Sequence, residues 1–143
     1  GAPLGAFLCK QEYAVLEPGD HGSTFGGNAL TTAAGWAGAK VVVDENWSEK
    51  GAETGAYLKG QLTGLMEKYD FITEVRGMGM LLAIQMSEDN AGAVIGETVA
   101  NGLLLTAVRP NMIRFMPPLT TSIEEIDEAV GILDAALAKV FGA

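Results

Sequence analysis

The C-terminal stretch constrains the fold more than any other part of the sequence. Two strand-like segments, LLLTAV and MIRFM, flank a turn at 109–111 and predict a hairpin. Pro117-Pro118 ends the second strand, because proline lacks the amide donor that a sheet needs. Ser122 and Glu125 then match a capping box, and apolar side chains recur at helical spacing over 123–141. The chain must therefore fold a hairpin and bury the apolar stripe of a long helix.

Helical and strand-like segments alternate in the rest of the sequence. Asn28 suits the N-cap of the first helix, since its side chain can accept from an unpaired helix amide. Gly102 is suited to end the third helix. Glycines inside the second helix lower the stability of that helix. Residues 1–9 predict a short buried strand. The other expected elements are helices over about 30–45, 47–69 and 90–101, and a strand-like stretch over 75–86 with glycines for a bulge or close approach.

Composition excludes several functional classes. Apolar residues make up 48% of the 143 residues, which is too many for a disordered chain. The formal net charge is −9 and the nine basic residues are scattered singly, so we expect no nucleic-acid partner. No apolar run approaches the ~20 residues of a membrane span, so we expect no membrane partner. The one cysteine, Cys9, predicts neither an internal disulfide nor a metal site and fits a reducing, cytoplasmic location.

A loop over 17–28, rich in glycine, serine and threonine, is the densest polar cluster. Glycines let backbone amides approach an anion closely, Ser23 and Thr24 add hydroxyl donors, and a helix start follows. These features suit a phosphate, although the lysine of a Walker loop is missing. The alternative is a tight turn of residues that favour turns. His21 fits a structural loop role better than that of a general base, and Cys9 fits an inert core thiol.

Arg114 is the second candidate for a binding residue. It alternates along the second hairpin strand with Ile113 and Phe115, so its side chain is expected on the opposite face from theirs. A guanidinium held on a rigid strand can bind a carboxylate through two parallel hydrogen bonds. The alternative is a surface arginine on a half-exposed hairpin. The residues by themselves leave both readings open.

Three segments resemble the class III, or ornithine-type, aminotransferases, and they occur in the family's order and spacing. The segments are PGDHGSTFGGN, VRGMGMLLAI and GLLLTAVRPNMIRFMPPLTTSIEEIDEAV. Within the family, the first segment and the short hairpin look most like the acetylornithine branch, with the ornithine, succinylornithine and 4-aminobutyrate branches as alternatives. Ala29, Met78 and Met80 depart from the family pattern, and none of them occupies a position with a named role.

The resemblance implies an α+β fold for this chain, whereas the complete parent enzymes have an α/β fold. The chain would be the C-terminal part of fold type I, which is the aspartate aminotransferase-like fold of the pyridoxal-phosphate-dependent transferases. In this part, helices pack on a small antiparallel sheet. Residues 1–45 would end the large cofactor-binding domain and supply a connecting helix, and 46–143 would form the small C-terminal domain. Thr24 matches the threonine that binds the phosphate of the cofactor held by the neighbouring subunit of a homodimer, with Ser23 beside it. Arg114 matches the arginine that holds the substrate α-carboxylate.

The Schiff-base lysine of the family matches no residue of this chain. The matching segment begins as GAPLGAF at Gly1, and the lysine would lie a few residues upstream. We therefore expect the C-terminal portion of an enzyme, one that contributes no catalytic residue and is inactive alone. The implied reaction is amino transfer between N-acetylornithine, or a related ω-amino donor, and 2-oxoglutarate in arginine biosynthesis. The alternatives are a non-catalytic binding module that keeps this fold and a same-fold enzyme such as an aminomutase.

Overall fold

The computed structural model describes residues 2–142. It divides the chain into two compact units, Gly1–Asn46 and Trp47–Ala143. The division lies next to the predicted domain boundary, but whether the first unit ends a larger domain stays a prediction. Gly1, from which the position of the expected lysine is counted, lies outside the described residues.

The first unit contains a short 3₁₀ helix, Gln11–Tyr13, and one α-helix, α1, Ala29–Asp44. Asn28 caps α1 as predicted, since its side-chain oxygen accepts a hydrogen bond from the amide of Thr31 at 3.0 Å. The observed helix agrees with the predicted one to within a residue at each end. No residue of α1 is buried, so this helix contributes no residue to an apolar core in the described part of the chain.

The prediction of a buried strand at 1–9 is wrong. Residues 2–10 have no regular secondary structure, and Phe7 and Leu8 are 84% and 99% exposed. Cys9 is also exposed, so it is not the core thiol that the sequence indicated. An extended segment becomes a strand only when a neighbour pairs with its amides and carbonyls. The four strands of the described chain pair with one another in the second unit, which leaves this segment without a partner there.

In the second unit, helices accompany an antiparallel sheet of four strands. In chain order its elements are α2 (Trp47–Lys68), β1 (Ile72–Met78), β2 (Leu81–Met86), α3 (Ala91–Ala100), β3 (Thr106–Arg109), β4 (Met112–Phe115) and α4 (Ile123–Phe141). The strands lie side by side in the order β1-β2-β4-β3, and each neighbouring pair is antiparallel. This confirms the predicted arrangement of helices on a small antiparallel sheet.

The segment 75–86, predicted as one strand-like stretch, belongs to a hairpin of β1 and β2. The chain reverses next to Gly79, whose φ of 53° lies in the left-handed region that glycine tolerates best. The predicted close approach is confirmed at Gly77, where an added Cβ would lie 2.1 Å from the carbonyl oxygen of Leu81. A Cβ added to Gly55 of α2 would likewise lie 2.2 Å from the carbonyl oxygen of Gly79. The turn of the hairpin therefore packs directly on the backbone of α2, and only glycine at position 55 permits this distance.

The core of the second unit lies between its helices and one face of the sheet. Leu58 and Leu62 of α2 and Leu133 and Leu137 of α4 join alternate strand residues such as Ile84 in one apolar cluster. Each of these residues is at most 4% exposed. Successive side chains of a strand point to opposite faces, so the residues between the core positions lie on the second face of the sheet. The helices of this unit leave that face open to other contacts.

The C-terminal elements agree closely with their predictions. β3 and β4 form the expected hairpin across 109–111. α4 begins with the expected capping box, in which Ser122 Oγ accepts from the amide of Glu125 at 3.2 Å and the Glu125 carboxylate accepts from the amide of Ser122 at 2.8 Å. Gly102 follows α3 with a φ of 89°, as its predicted helix-ending role requires. All of these features depend on residues that are close in sequence.

Gly55→Ala should destabilise the chain by about 1–3 kcal/mol, the usual cost of overpacking a close-packed site. The added methyl group would collide with the backbone at Gly79, and urea unfolding measures the loss. Gly60→Ala is the matched control, because Gly60 is an exposed residue of the same helix with open space around an added Cβ. Alanine there should stabilise the helix by about 0.5–1 kcal/mol. Effects of the same sign and size at both positions would contradict the contact.

Candidate functional site

Arg114 lies on β4, an internal strand of the sheet. Its register partners are Ala83 on β2 and Thr106 on β3, and Ala83 also pairs with Arg76 on β1. Residues directly opposite one another on neighbouring strands share a face, so these four residues form a row across the sheet. Ile113, next to Arg114, belongs to the core. The row therefore lies on the face opposite the helices, where alternation along the strand predicted Arg114.

The Arg114 side chain is half-buried, and its Nε atom is buried without a hydrogen-bond partner among residues 2–142. Leaving a buried donor unpaired costs about 1–3 kcal/mol, so a ligand oxygen is favoured at this atom. Arg114 also lines a cavity of about 320 Å³. Its walls include Leu104, Phe115 and Met116, and also Glu125, whose carboxylate is engaged in the capping box. A rigid strand, apolar walls and a free guanidinium donor suit a small carboxylate.

Ser23 and Thr24 lie together in an exposed loop of the first unit. Gly27 adopts a φ of 68° in the turn after them, and α1 then begins at Ala29. Exposed hydroxyl donors close to a helix start are chemically suited to a phosphate group. Arg114 belongs to the other unit, so the sequence-predicted site residues fall into two separate groups.

Arg76 is a candidate residue that the sequence analysis missed. One guanidinium nitrogen donates to the Glu74 carboxylate at 2.6 Å and to Gln85 Oε1 at 3.2 Å, and the other lies 3.2 Å from the sulfur of Met112. The side chain therefore crosses β2 towards β4. A groove of about 380 Å³ is lined by both Arg76 and Arg114. Strand register is the signal that relates the two arginines, and it depends on pairing between distant parts of the chain.

Residues 2–142 contain no group of three or more histidine, cysteine, aspartate or glutamate side chains placed to hold a metal ion. Across the same residues, every helix is too short or too polar to cross a bilayer. His21 is exposed in the loop of the first unit.

Comparison with known families decides what these residues belong to. The family model described as aminotransferase class-III matches residues 1–137. The chain belongs to the class III aminotransferases. Enzymes of this family use pyridoxal phosphate. The match includes both candidate sites, the loop with Ser23 and Thr24 and the strand with Arg114.

Relatives and solved structures agree with this class III assignment. The acetylornithine aminotransferases of Caldanaerobacter subterraneus and Thermosynechococcus vestitus are 39% and 41% identical to the chain over 140 and 144 residues. Each match covers 98% of this chain but 36% and 35% of those proteins, so the chain spans about one third of their length. The structure of acetylornithine aminotransferase from Elizabethkingia anophelis matches with a TM-score of 0.79 and 37% identity, over 87% of this chain and 33% of that one. Ornithine aminotransferase from Toxoplasma gondii gives a TM-score of 0.79 and 32% identity, over 88% and 31%.

Family membership gives the loop of this class III aminotransferase chain a specific candidate ligand. Pyridoxal phosphate carries a phosphate group, and the hydroxyls of Ser23 and Thr24 are donors that such a group accepts. The loop contains no lysine or arginine, so it would supply neutral donors rather than a counter-charge. The donor set fits one side of a phosphate site.

Lys68, Tyr69 and Asp134 form a cluster with shifted pKa values in this aminotransferase chain, and none of the three lines the cavity beside Arg114. Lys68 Nζ donates to both carboxylate oxygens of Asp134 at 2.7 Å, and the Tyr69 hydroxyl donates to the same carboxylate at 2.7 Å. The bond from Lys68 lowers the pKa of Asp134, although partial burial acts in the opposite direction. Burial, and then the bond to Asp134, raises the pKa of Tyr69. The cluster connects the end of α2 to α4, so its role is structural.

Asp134→Asn should lower the free energy of unfolding by about 1 kcal/mol near pH 7, because the bond from Lys68 loses its charge. Folding lowers the pKa of Asp134, so its stabilisation is complete above the unfolded-state pKa of ~3.9 and is lost as the pH falls through the folded-state value. Urea unfolding should therefore show the gap between the native chain and the variant closing below about pH 4. Asp89→Asn, at an exposed loop carboxylate, is the control and should change little at either pH. A gap that stays constant with pH would exclude the ion pair as its cause.

Proposed function

We propose that this chain is the C-terminal portion of an acetylornithine-type aminotransferase, in which it binds the substrate carboxylate. The observation that carries the proposal is the buried, unpartnered Nε of Arg114 on an internal strand beside an apolar cavity. The acetylornithine aminotransferases of Caldanaerobacter and Thermosynechococcus support the choice of branch. The reaction would move an amino group between N-acetylornithine, or a related ω-amino donor, and 2-oxoglutarate in arginine biosynthesis.

Arg114 is the proposed binding residue for the α-carboxylate of the amino acid and of the 2-oxo acid. Its guanidinium presents donors in a planar fork that matches the two oxygens of a carboxylate. β4 pairs with β2 on one side and β3 on the other, which restrains the backbone that carries the fork. A restrained binding group helps catalysis, because the reacting atoms of the substrate are then held in a fixed orientation.

Ser23 and Thr24 are the proposed donors to the cofactor phosphate of the neighbouring subunit in a cytoplasmic homodimer. Their exposure in the first unit supports a role at a surface shared with further protein. The strong exposure of Phe7 and Leu8 supports a first unit that ends a larger domain and is covered by it. Residues 1–45 would then belong to the large domain, and 46–143 would form the small domain.

Pyridoxal phosphate, when bound, supplies the electron sink that makes amino transfer possible. This chain would contribute by holding a phosphate at Ser23 and Thr24 and a carboxylate at Arg114. None of its lysines lies in the sequence context of the family's reactive lysine. The chain alone is therefore proposed to be inactive, and its residues orient groups rather than transfer protons.

A second candidate function is that of a non-catalytic binding module. The second unit supports this candidate because it has an apolar core of its own. Such a module would keep the carboxylate site at Arg114 without the amino transfer. A different amino donor is a further alternative, supported by the likeness to the ornithine aminotransferase of Toxoplasma gondii.

Titration of the 143-residue chain with pyridoxal phosphate, followed by borohydride reduction and intact-mass measurement, should give no single stoichiometric lysine adduct. The reason is that no lysine of the chain has the expected context. The chain should also fail to transfer an amino group from N-acetylornithine to 2-oxoglutarate. One adduct on one lysine, together with turnover, would show that the chain builds a complete cofactor site and that the proposal of an inactive portion is wrong.

In a full-length aminotransferase that contains this sequence, Arg114→Lys should cost about 1.5–3 kcal/mol of transition-state binding, measured as a fall in kcat/KM. Lysine keeps the charge but loses the planar fork. Arg109→Lys makes the same replacement at an exposed end of β3 and should leave kcat/KM unchanged. Unaltered kinetics for Arg114→Lys would remove Arg114 from the site.

A further inference from the structure

We propose that Met116 is a site of reversible oxidation, and that the sulfoxide formed there accepts a hydrogen bond from Arg114 and so hinders carboxylate binding. The effect on binding rests on the proposed function of Arg114, whereas the oxidation itself does not. Met116 directly follows β4, the strand that carries Arg114, and both residues line the cavity of about 320 Å³. The modification would therefore act where the carboxylate is expected.

Exposure divides the six methionines of the chain into distinct groups. Met78 and Met116 are 88% and 66% exposed, and Met66 is half-buried. Three others are buried, each at most 7% exposed: Met80, Met86 and Met112. An oxidant must reach the sulfur atom, so susceptibility to oxidation follows exposure. Met78 and Met116 are therefore the methionines that a dissolved oxidant reaches first.

Strand geometry places Met116 on the same face of the sheet as Arg114. Alternate residues of an extended strand share a face and lie about 6.6 Å apart. Pro117 follows Met116, and the residue before a proline is restricted to extended backbone. The alternation along β4 therefore continues to Met116, although the strand pairing ends at Phe115.

Met78 provides a matched comparison for Met116. It is also exposed, and it lines the groove of about 380 Å³ that Arg114 lines on the same face. Met78 lies on β1, however, and β2 separates β1 from β4. Two strand spacings amount to about 10 Å. A sulfoxide at Met78 would be equally accessible but farther from the Arg114 guanidinium.

The oxidation step takes hydrogen peroxide as its oxidant. The thioether sulfur attacks one peroxide oxygen, the O–O bond breaks, an S=O bond forms and water leaves, so sulfur loses two electrons to the peroxide. A thiol-dependent sulfoxide reductase reverses the step. Two thiols then become a disulfide, and the oxygen leaves as water.

The sulfoxide would supply the acceptor that Arg114 lacks. A thioether sulfur is a weak hydrogen-bond acceptor, whereas a sulfoxide is polar. Nε of Arg114 is buried and has no hydrogen-bond partner among residues 2–142, so an acceptor within reach of this atom is favoured. A contact between guanidinium and methionine already exists on this face, because Arg76 lies 3.2 Å from the sulfur of Met112. The sulfoxide oxygen would compete with a ligand carboxylate for the Arg114 donor.

The first test measures where the chain is oxidised. The 143-residue chain is treated with limited hydrogen peroxide, and peptide mass mapping gives the oxidation rate of each methionine. Met78 and Met116 should oxidise severalfold faster than Met86. Methionine sulfoxide reductase with a dithiol should then remove the added oxygen from Met116. Oxidation of Met116 no faster than that of Met86 would overturn the proposal.

The second test measures contact with Arg114 through its Nε–H resonance in NMR spectra and through titration with butyrate, a monocarboxylate. Oxidation should shift the resonance and weaken butyrate binding about three- to tenfold, the effect of one hydrogen bond. Met78→Leu should retain both effects, because Met116 is still oxidised. In Met116→Leu, the resonance and the butyrate affinity should be the same before and after peroxide. The amide spectra report whether each oxidised chain is folded.

Arg114→Gln separates this proposal from the proposed function. If this variant lowers butyrate affinity but oxidation of the native chain changes neither the resonance nor the affinity, the sulfoxide contact is wrong and the role of Arg114 stands. If Arg114→Gln leaves butyrate affinity unchanged, the carboxylate role fails and with it the effect on binding. A shift of the Nε–H resonance that depends on Met116 would still support the sulfoxide contact in that case.

Discussion

The apolar core that α2 and α4 share with one face of the sheet determines the rest of the second unit. Leu62 and Leu137 are fully buried there with Ile84 and Ile113. Burial of apolar surface contributes about 25 cal/mol per Å², and it also fixes the strand register, because a slip of one residue would turn the apolar side chains to the other face. Register in turn determines which side chains occupy the helix-free face. The positions of the arginines are therefore a consequence of how the core packs.

Close packing also explains two of the four glycines of α2, Gly51 and Gly55. Each glycine lowers the stability of a helix interior by about 1 kcal/mol relative to alanine, so the sequence reads as a weak helix. Gly51 and Gly55 are buried, and a Cβ at these positions would lie 2.6 Å from the Leu119 side chain and 2.2 Å from the carbonyl of Gly79. The low helix propensity of glycine is offset by close contact with Leu119 at Gly51 and with the turn of the β1–β2 hairpin at Gly55. Tertiary contact outweighs local preference at these two positions.

Local signals in the sequence predicted the elements that local contacts stabilise. The cap at Asn28 and the capping box at Ser122 involve residues within one helical turn, and both were predicted correctly. The turn at Gly79 was missed because apolar residues flank it, and no cluster of polar turn residues marks it. The prediction of a strand at 1–9 was wrong because an apolar pattern does not supply a pairing partner. The sequence analysis missed Arg76 because strand register places it near Arg114, and register depends on pairing between segments that are distant in sequence.

The two candidate sites differ in how far this chain determines their geometry. Arg114 lies on a strand that is paired on both sides, so the backbone that carries its guanidinium is restrained before a ligand arrives. Ser23 and Thr24 lie in an exposed loop, and the helix that follows buries none of its residues. Ordering such a loop costs about 1–2 kcal/mol per residue in backbone entropy, which a phosphate contact alone offsets poorly. The proposed phosphate binding would therefore depend on further protein that restrains the loop, whereas the proposed carboxylate binding at Arg114 would need only the fold of the second unit.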